Sequence, residues 1–181
     1  MNFCSNCGSA NLDYKVPSGD NRKRVICADC HAIHYANPKI VAGCLPIHDN
    51  RVLLARRAIE PRKGYWNVPS GYLENGETVE EGALREVREE VLAEVDLIGM
   101  HALYSIPHIN QVYIHFLAEL QSPDAYGCGP ESSEVRLFRE DEIPWDEIAF
   151  TSSVFTLRRY FADRHKGKRQ LHRGKMVRSR P

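Results

Sequence analysis

Two Cys-x-x-Cys pairs near the start of the chain constrain its folding more than any other feature. The pairs are Cys4-Ser-Asn-Cys7 and Cys27-Ala-Asp-Cys30, and 19 residues separate them. Two such pairs suit one tetrahedral zinc ion that is held by four thiolates. A metal clip also explains how a segment of about 30 residues can be ordered with little hydrophobic core. We therefore expect a zinc ribbon over residues 1–35.

Other roles for the cysteines fit less well. Disulfide pairing would need an oxidising compartment, but the first residues lack the basic start and apolar stretch of a signal peptide, so the cytoplasm is the expected location. A thioredoxin-like site would need one Cys-x-x-Cys in a βαβ setting. His31 and His34 could replace a ligand only if a cysteine failed to bind. Cys44 and Cys128 are interpreted as unliganded thiols.

Charge is distributed unevenly along a chain whose formal net charge is zero. Residues 165–181 contain seven Lys/Arg and no Asp/Glu, which leaves 17 Lys/Arg against 24 Asp/Glu elsewhere. A basic tail can contact phosphate or nucleic acid, although a solvated terminus is the simpler interpretation. No apolar run approaches the roughly 20 residues of a membrane helix. The expected organisation is a ribbon (1–35), a second domain (36–165) and a basic tail (166–181).

Strand and helix patterns are mixed in the second domain, without regular βαβ alternation. Strands are expected at 40–48, 51–58, 97–105, 111–120 and 134–138, with a short segment at 66–71 and helices at 79–93 and 152–164. This mixture predicts an α+β fold that is built on a mixed sheet.

The first helix carries three clustered carboxylates. Thr78 and Glu81 have the spacing of a capping box, so the helix start is well marked. Glu86, Glu89 and Glu90 are three and four residues apart and therefore share one face. Clustered carboxylates repel each other, and a bound divalent cation such as Mg²⁺ would relieve that repulsion. The alternative is a solvated acidic face with salt bridges to Arg85 and Arg88.

The residues before the helix favour the metal-binding interpretation. The sequence reads Gly71-Tyr-Leu-Glu-Asn-Gly-Glu77, then seven residues, then Arg85-Glu-Val-Arg-Glu-Glu90. This pattern resembles the Nudix box, and Trp66 to Gly71 resembles the family's approach to it. The box glycine near the helix end is Leu92 here, which would make a left-handed helix stop awkward. The ribbon and the segments Pro38-Lys39, Ile106-Pro107 and Gly129-Pro-Glu-Ser132 are similar to zinc-ribbon Nudix hydrolases that include FAD and ADP-ribose pyrophosphatases.

This resemblance implies a Nudix-type α/β/α sandwich that hydrolyses a nucleoside diphosphate linked to another moiety. It implies Mg²⁺ or Mn²⁺ on Glu86, Glu89 and Glu90, with the Gly71 carbonyl as a further ligand. Arg85 would hold Glu89 in place, and Glu77 would support the loop or an outer-shell water. The general base would be a box glutamate or a later acid, Glu131 or Glu134, and we favour Glu134 because it begins a strand. A homodimer is the family expectation.

Candidate substrate contacts rest on weaker patterns. Arg56 and Arg57 end a strand near the expected site, where either could pair with phosphate. Trp66, Tyr104 and Tyr113 could stack on a base or flavin, although such aromatic residues more often belong to the core.

Three functions remain open from the sequence. FAD or ADP-ribose is the favoured substrate. NADH or capped RNA is less favoured, because residues 94–125 lack the Gln-Pro-Trp-Pro-type segment of zinc-ribbon NADH pyrophosphatases. A non-catalytic nucleotide or nucleic-acid binder is disfavoured, because a binder needs no intact glutamate set.

Overall fold

The computed structural model describes residues 1–177, which divide into two compact units, Met1–Asn37 and a second unit that begins at Pro38. The first unit is a three-stranded antiparallel sheet, with β1 at Leu12–Lys15, β2 at Arg24–Cys27 and β3 at Ile33–His34. Its buried residues are Cys4, Pro17 and Cys27. Because two of these three are cysteines, the cysteine cluster takes the place of a hydrophobic core in this unit.

The second unit is built on one mixed sheet in the order β10-β5-β4-β9-β8-β11, with β6 beside β5 and β7 beside β4. The strands are β4 (Lys39–His48), β5 (Arg51–Arg57), β6 (Trp66–Asn67), β7 (Ser70–Tyr72), β8 (Val95–Ile106), β9 (Gln111–Leu120), β10 (Ser132–Phe138) and β11 (His172–Lys175). The pairs β4–β9 and β8–β11 are parallel, whereas the other ladders are antiparallel.

Two helices cover opposite faces of this sheet. Alternate residues of the central strands point to different apolar clusters, as a strand requires. Cys44 and Leu53 pack with helix α1 (Val79–Val91) in one cluster. Leu45 and Leu54 pack with helix α2 (Thr151–His165) in the other. The α/β/α sandwich and mixed sheet that the sequence predicted are therefore confirmed.

The end of α1 differs from the expectation. Leu92 adopts the left-handed conformation (φ 50°, ψ 34°), and its N–H donates to the Arg88 carbonyl, so the helix stops where a glycine would have stopped it. For a non-glycine residue this conformation costs roughly 1–2 kcal/mol. The loop after β9 offsets that cost, because Gly127 N–H and Gly129 N–H donate to the carbonyls of Val91 and Glu90 at 2.9 and 3.1 Å.

Part of the basic C-terminal segment belongs to the sheet. Strand β11 runs parallel to β8, with His172 opposite Ala102 and Lys175 opposite Ser105. A Cβ atom on Gly174 would overlap Phe155 and Tyr104, which shows how tightly this strand packs. Residues 178–181, with Arg178 and Arg180 of the predicted tail, lie outside the described residues. No helix within residues 1–177 is long and apolar enough to span a membrane.

Candidate active site

The four cysteines of the first unit form a compact cluster. Their Sγ atoms all lie within 4.8 Å of one another, with 3.6 Å between Cys4 and Cys30 and 3.6 Å between Cys7 and Cys27. A disulfide needs about 2.05 Å. Zn–S bonds of about 2.3 Å in a tetrahedron place the sulfurs about 3.8 Å apart, which is close to the observed spacing. The cluster therefore suits a zinc-type centre, and His34 Nε2 lies beside it at 3.3 Å from Cys4 Sγ.

Cys44 has a different environment from the clustered cysteines. It is fully buried against α1, and burial raises the pKa of its thiol to about 12. A thiol that holds its proton so firmly is a core side chain rather than a nucleophile or a metal ligand.

A reciprocal cap fixes the start of the glutamate-bearing helix. The Thr78 hydroxyl accepts the Glu81 N–H at 3.2 Å, and the Glu81 carboxylate accepts the Thr78 N–H at 2.8 Å. The predicted capping box is thus present. It sets the rotation of α1, so that one face packs on the sheet and the carboxylate face meets β7.

Arg85 ties the Nudix-like loop to the helix. Its guanidinium makes a two-pronged contact with Glu77, at 2.6 and 3.0 Å, and donates to the Tyr72 carbonyl at 3.1 Å. It also donates to Glu86 at 2.7 Å and to Glu89 at 3.0 Å. The Arg85–Glu89 pair was predicted, whereas the stronger pairing with Glu77 was not. Arg85 holds the pKa of Glu77 below its usual range, so both partners stay charged.

The three glutamates of the helix face have unequal surroundings. Glu86 and Glu90 are buried, and Glu90 is only 7% exposed, whereas the Glu89 side chain is 59% exposed. Glu90 accepts the Ser70 N–H at 3.1 Å. Glu86 lies so close to Gly71 that a Cβ atom there would overlap its carboxylate. A side chain at position 71 would therefore displace the Glu86 carboxylate from its place beside β7.

Burial shifts the titration of the two inner carboxylates. Desolvation raises the pKa of Glu86, although Arg85 partly opposes the shift. Desolvation, together with the nearby Glu86 charge, raises the pKa of Glu90 to about 8. Two buried carboxylates that share so few donors form an unfavourable arrangement, which a bound cation would reverse.

The loop before β10 brings Glu131 towards these carboxylates. Gly129 packs against the Glu89 carbonyl so tightly that no Cβ atom would fit, and Ala58 N–H donates to the Glu131 carbonyl at 2.7 Å. The Glu131 charge is one of the causes that raise the pKa of Glu86 and Glu90. Glu131 is therefore an acidic neighbour of the site that follows it by some 40 residues in sequence.

Glu134, which the sequence favoured as a base, is placed differently. It lies in β10 rather than at its first residue, opposite Arg56, and its carboxylate pairs with the Arg56 guanidinium at 3.4 Å. Arg56 also lies 3.9 Å from Glu147 and above the Trp66 ring. Both residues thus belong to a charge network at the sheet edge.

Arg57 is a second basic residue near the carboxylate site, after Arg85. Its charge lowers the pKa of Glu90 against the dominant effect of burial. Its Nε donates to the Pro61 carbonyl at 2.8 Å, and its guanidinium lies 5.2 Å from the centre of the Phe150 ring. Arg57 is thus held in place near the glutamates, and Phe150 is a neighbour that the sequence did not single out.

Of the three aromatic residues proposed as substrate contacts, two belong to the core and one lies close to the box loop. Trp66 is buried in edge-to-face contact with Phe138, and Tyr104 stacks on Phe155 in a separate apolar cluster, so neither ring offers a free face. Tyr113 is also mostly buried, but its hydroxyl donates to Gln111, whose amide donates to the Tyr72 hydroxyl. Tyr72, exposed and adjacent to Gly71, was missed, although its position inside the box motif could have revealed it.

Family comparisons agree with this geometry. The NUDIX domain family matches residues 37–158, and the family described as Nudix N-terminal, a zinc ribbon, matches residues 2–36. The chain belongs to the NUDIX family. A crystal structure of a NUDIX hydrolase from Nitrosomonas europaea is 48% identical, with a TM-score of 0.92, and the match covers 97% of this chain and 99% of that one. Nudix enzymes generally use divalent cations, which agrees with the carboxylate cluster.

Curated relatives carry two kinds of name. A NAD-capped RNA hydrolase NudC from Vibrio parahaemolyticus is 29% identical over 147 residues, which cover 80% of this chain and 53% of the relative. The chain thus spans about half the length of that relative. An ADP-ribose pyrophosphatase from Methanocaldococcus jannaschii is 36% identical over 120 residues, or 64% of this chain and 69% of the relative.

Proposed function

We propose that this Nudix chain hydrolyses the pyrophosphate bond of a nucleoside diphosphate linked to another moiety. ADP-ribose or FAD is the preferred substrate class, and the products are AMP and a second monophosphate. The observation that carries the proposal is the buried Glu86–Glu90 pair, which Arg85 and the close approach of Gly71 hold beside the loop that bears Glu131.

The donor set fits Mg²⁺, or Mn²⁺ in its place. Glu86, Glu89 and Glu90 offer carboxylate oxygens, and the Gly71 carbonyl is a further candidate donor, so the set is the hard oxygen type that these ions prefer. The raised pKa of Glu90 supports a cation here, because the pair is electrostatically incomplete alone. When bound, the ion would neutralise phosphate charge and make water more acidic. In the ribbon, Cys4, Cys7, Cys27 and Cys30 would hold structural Zn²⁺.

Side chains of the protein would carry out proton transfer and hold the substrate. Glu131, which has no ion-pair partner among residues 1–177, would take the proton of the attacking water. The water oxygen then forms a bond to one phosphorus as the bridging P–O bond breaks. Arg57 would hold a phosphate oxygen, because its guanidinium is fixed close to Glu90. Tyr72 and Tyr113 are the aromatic residues that could contact the rest of the substrate.

Substrate preference rests on the relatives and on one sequence feature. The ADP-ribose pyrophosphatase relative is the more identical of the two kinds, and this chain covers more of it. NAD-capped RNA or NADH is the second candidate, supported by the names of the NudC relatives. The missing Gln-Pro-Trp-Pro-type segment in residues 94–125 places it second. A homodimer in the cytoplasm remains part of the proposal, and light scattering of the purified protein tests the dimer.

A hydrolysis panel tests this proposal. ADP-ribose, FAD, NADH, NAD⁺ and NAD-capped RNA are offered to the wild type, to Glu89→Gln and to Glu94→Gln, with and without magnesium. Glu94 is the matched control, because it is an exposed glutamate that pairs with Arg88 just beyond the helix. We expect magnesium-dependent release of AMP from ADP-ribose or FAD by the wild type and by Glu94→Gln, and a large loss in Glu89→Gln. A preference for capped RNA would move the assignment to the second candidate.

A further inference from the structure

A second group of metal-binding side chains lies in the Nudix unit, on the α2 face of the sheet. It consists of His101 on β8, Asp163 on α2 and His172 at the start of β11. One ligand atom from each residue lies within 4.8 Å of the other two. Together with the four cysteines, this is one of the two such groups within residues 1–177. Its members are brought together only by the fold, since three separate elements supply them.

Hydrogen bonds orient the two histidines of the group. His101 Nε2 lies 3.2 Å from the Thr156 carbonyl, which can only accept, so Nε2 carries the proton and Nδ1 keeps its lone pair. Metal-binding histidines commonly donate their other ring N–H to a backbone carbonyl in this way. His172 Nε2 donates to the Asp163 carboxylate at 2.8 Å, so an ion that binds there would displace this proton.

The distances allow an ion to enter with small movements. Bonds of about 2.0–2.2 Å from zinc to nitrogen and oxygen, in a tetrahedron, place ligand atoms roughly 3.3–3.6 Å apart. The distance between His172 Nε2 and the Asp163 carboxylate, 2.8 Å, is shorter than this range. The upper limit for the ligand atoms of the whole group, 4.8 Å, is longer. Asp163 also lines a cleft of about 220 Å³, together with Tyr160 and Lys168, so the acidic member of the group borders a cavity.

The buried carboxylate of the group favours a cation, although basic side chains lie near it. Asp163 is 5% exposed and His101 is 2% exposed, so a carboxylate and an imidazole are held in a region of low dielectric constant. The neighbouring His115 adds no charge, because complete burial lowers its pKa to about 3. The positive groups that approach are Arg164, Lys168 and Arg169, which line the cleft beside Asp163. Two imidazoles and one carboxylate form a donor set that suits zinc and related transition ions rather than magnesium.

We propose that His101, Asp163 and His172 form a second transition-metal site, with Zn²⁺ as the preferred ion, separate from the ribbon and from the glutamate site. Because His172 opens β11, the ion would fasten the basic C-terminal segment to β8 and α2. The site would therefore be structural, and zinc would control the docking of the last strand rather than the hydrolysis itself.

Zinc stoichiometry of the full-length protein tests the site. The protein is loaded with zinc in a large excess of magnesium, which occupies the glutamate site, and is then dialysed and assayed by elemental analysis. We expect two zinc ions per chain in the wild type and one in His172→Gln, whose amide can still bond to Asp163. The matched control is His165→Gln, an exposed histidine that pairs with Glu140 outside the group and should retain two zinc ions.

Two further readouts make the outcome decisive. Added zinc should raise the thermal midpoint of the wild type and of His165→Gln, but not that of His172→Gln. In wild-type protein loaded with cobalt, the second equivalent should show nitrogen and oxygen ligands without thiolate charge-transfer bands, so this measurement stands even if the variant misfolds. One zinc per chain in the wild type, or two in His172→Gln, would overturn the proposal and leave a hydrogen-bonded cluster only.

Discussion

Replacing Glu90 with glutamine should stabilise the magnesium-free protein while removing its response to magnesium. Burial and the Glu86 charge raise the pKa of Glu90 from 4.5 to about 8. Between those pH values the folded state keeps a proton that the unfolded state has lost, so stability falls as pH rises from about 4.5 to about 8. Glutamine has no such proton, and its carbonyl oxygen can still accept the Ser70 N–H.

The size of the effect follows from the same values. A solution at pH 7 is about 2.5 pH units above the unfolded-state pKa of this carboxyl, which is 4.5. Each pH unit corresponds to about 1.4 kcal/mol of unfolding free energy. The upper bound is therefore roughly 3 kcal/mol at pH 7 and below about 1 kcal/mol at pH 5. A gain of this size would raise the midpoint of thermal unfolding by up to about 6–12 °C at neutral pH.

Calorimetry measures the difference in thermal midpoint between Glu90→Gln and the wild type. It is done at pH 5 and pH 7, without and with added magnesium, on protein that retains the ribbon zinc. Glu89→Gln is the matched control, because its exposed side chain carries no burial penalty and its removal should leave stability nearly unchanged. Magnesium should raise the midpoint of the wild type but not that of Glu90→Gln. If Glu90→Gln is no more stable than the wild type at pH 7, or if its gain is the same at pH 5, the reasoning is refuted.

Three further predictions concern the glycine contact, the ribbon and the base. Gly71→Ala should lower kcat/KM by about 100-fold, because the added Cβ displaces the Glu86 carboxylate, while circular dichroism should show a retained fold. Gly127→Ala is the control, because its Cβ meets only ordinary van der Waals contact, and it should stay active. Cys27→Ser should lose the ribbon zinc and make Met1–Asn37 sensitive to protease, and intact zinc content would contradict this. Glu131→Gln should lower kcat by a factor of about 10²–10⁴ and change the pH–rate profile. Glu134→Gln should lower kcat much less, and equal losses in the two variants would argue against Glu131 as the base.

Features that depend on local spacing could be predicted from the sequence. The capping box of Thr78 and Glu81 and the shared face of Glu86 and Glu90 follow from helix geometry alone. The cysteine cluster follows from two short motifs with a known metal preference. In each case the residues that decide the structure lie within a few positions of each other or form a recognisable pair of motifs.

Features that depend on distant contacts could not be predicted in the same way. Leu92 takes a left-handed conformation because Gly127 and Gly129, more than 30 residues later, bond to the helix end. The same loop carries Glu131, whose charge acts on Glu86 and Glu90, and this neighbourhood is not visible in the sequence, where Glu134 was favoured as the base because it begins a predicted strand. Strand β11 is a polar segment whose pairing with β8 depends on tertiary packing, so its sequence has no strand pattern.

Release of AMP from ADP-ribose is the measurement that tests the central claim most directly. Full-length protein with zinc in the ribbon is incubated with ADP-ribose, and products are separated with and without magnesium. The account predicts AMP and ribose 5-phosphate in equal amounts, only when magnesium is present, and none from Glu89→Gln. Absence of turnover of ADP-ribose, FAD and NAD-capped RNA by folded, zinc-loaded protein with magnesium would contradict the assignment as a pyrophosphate hydrolase.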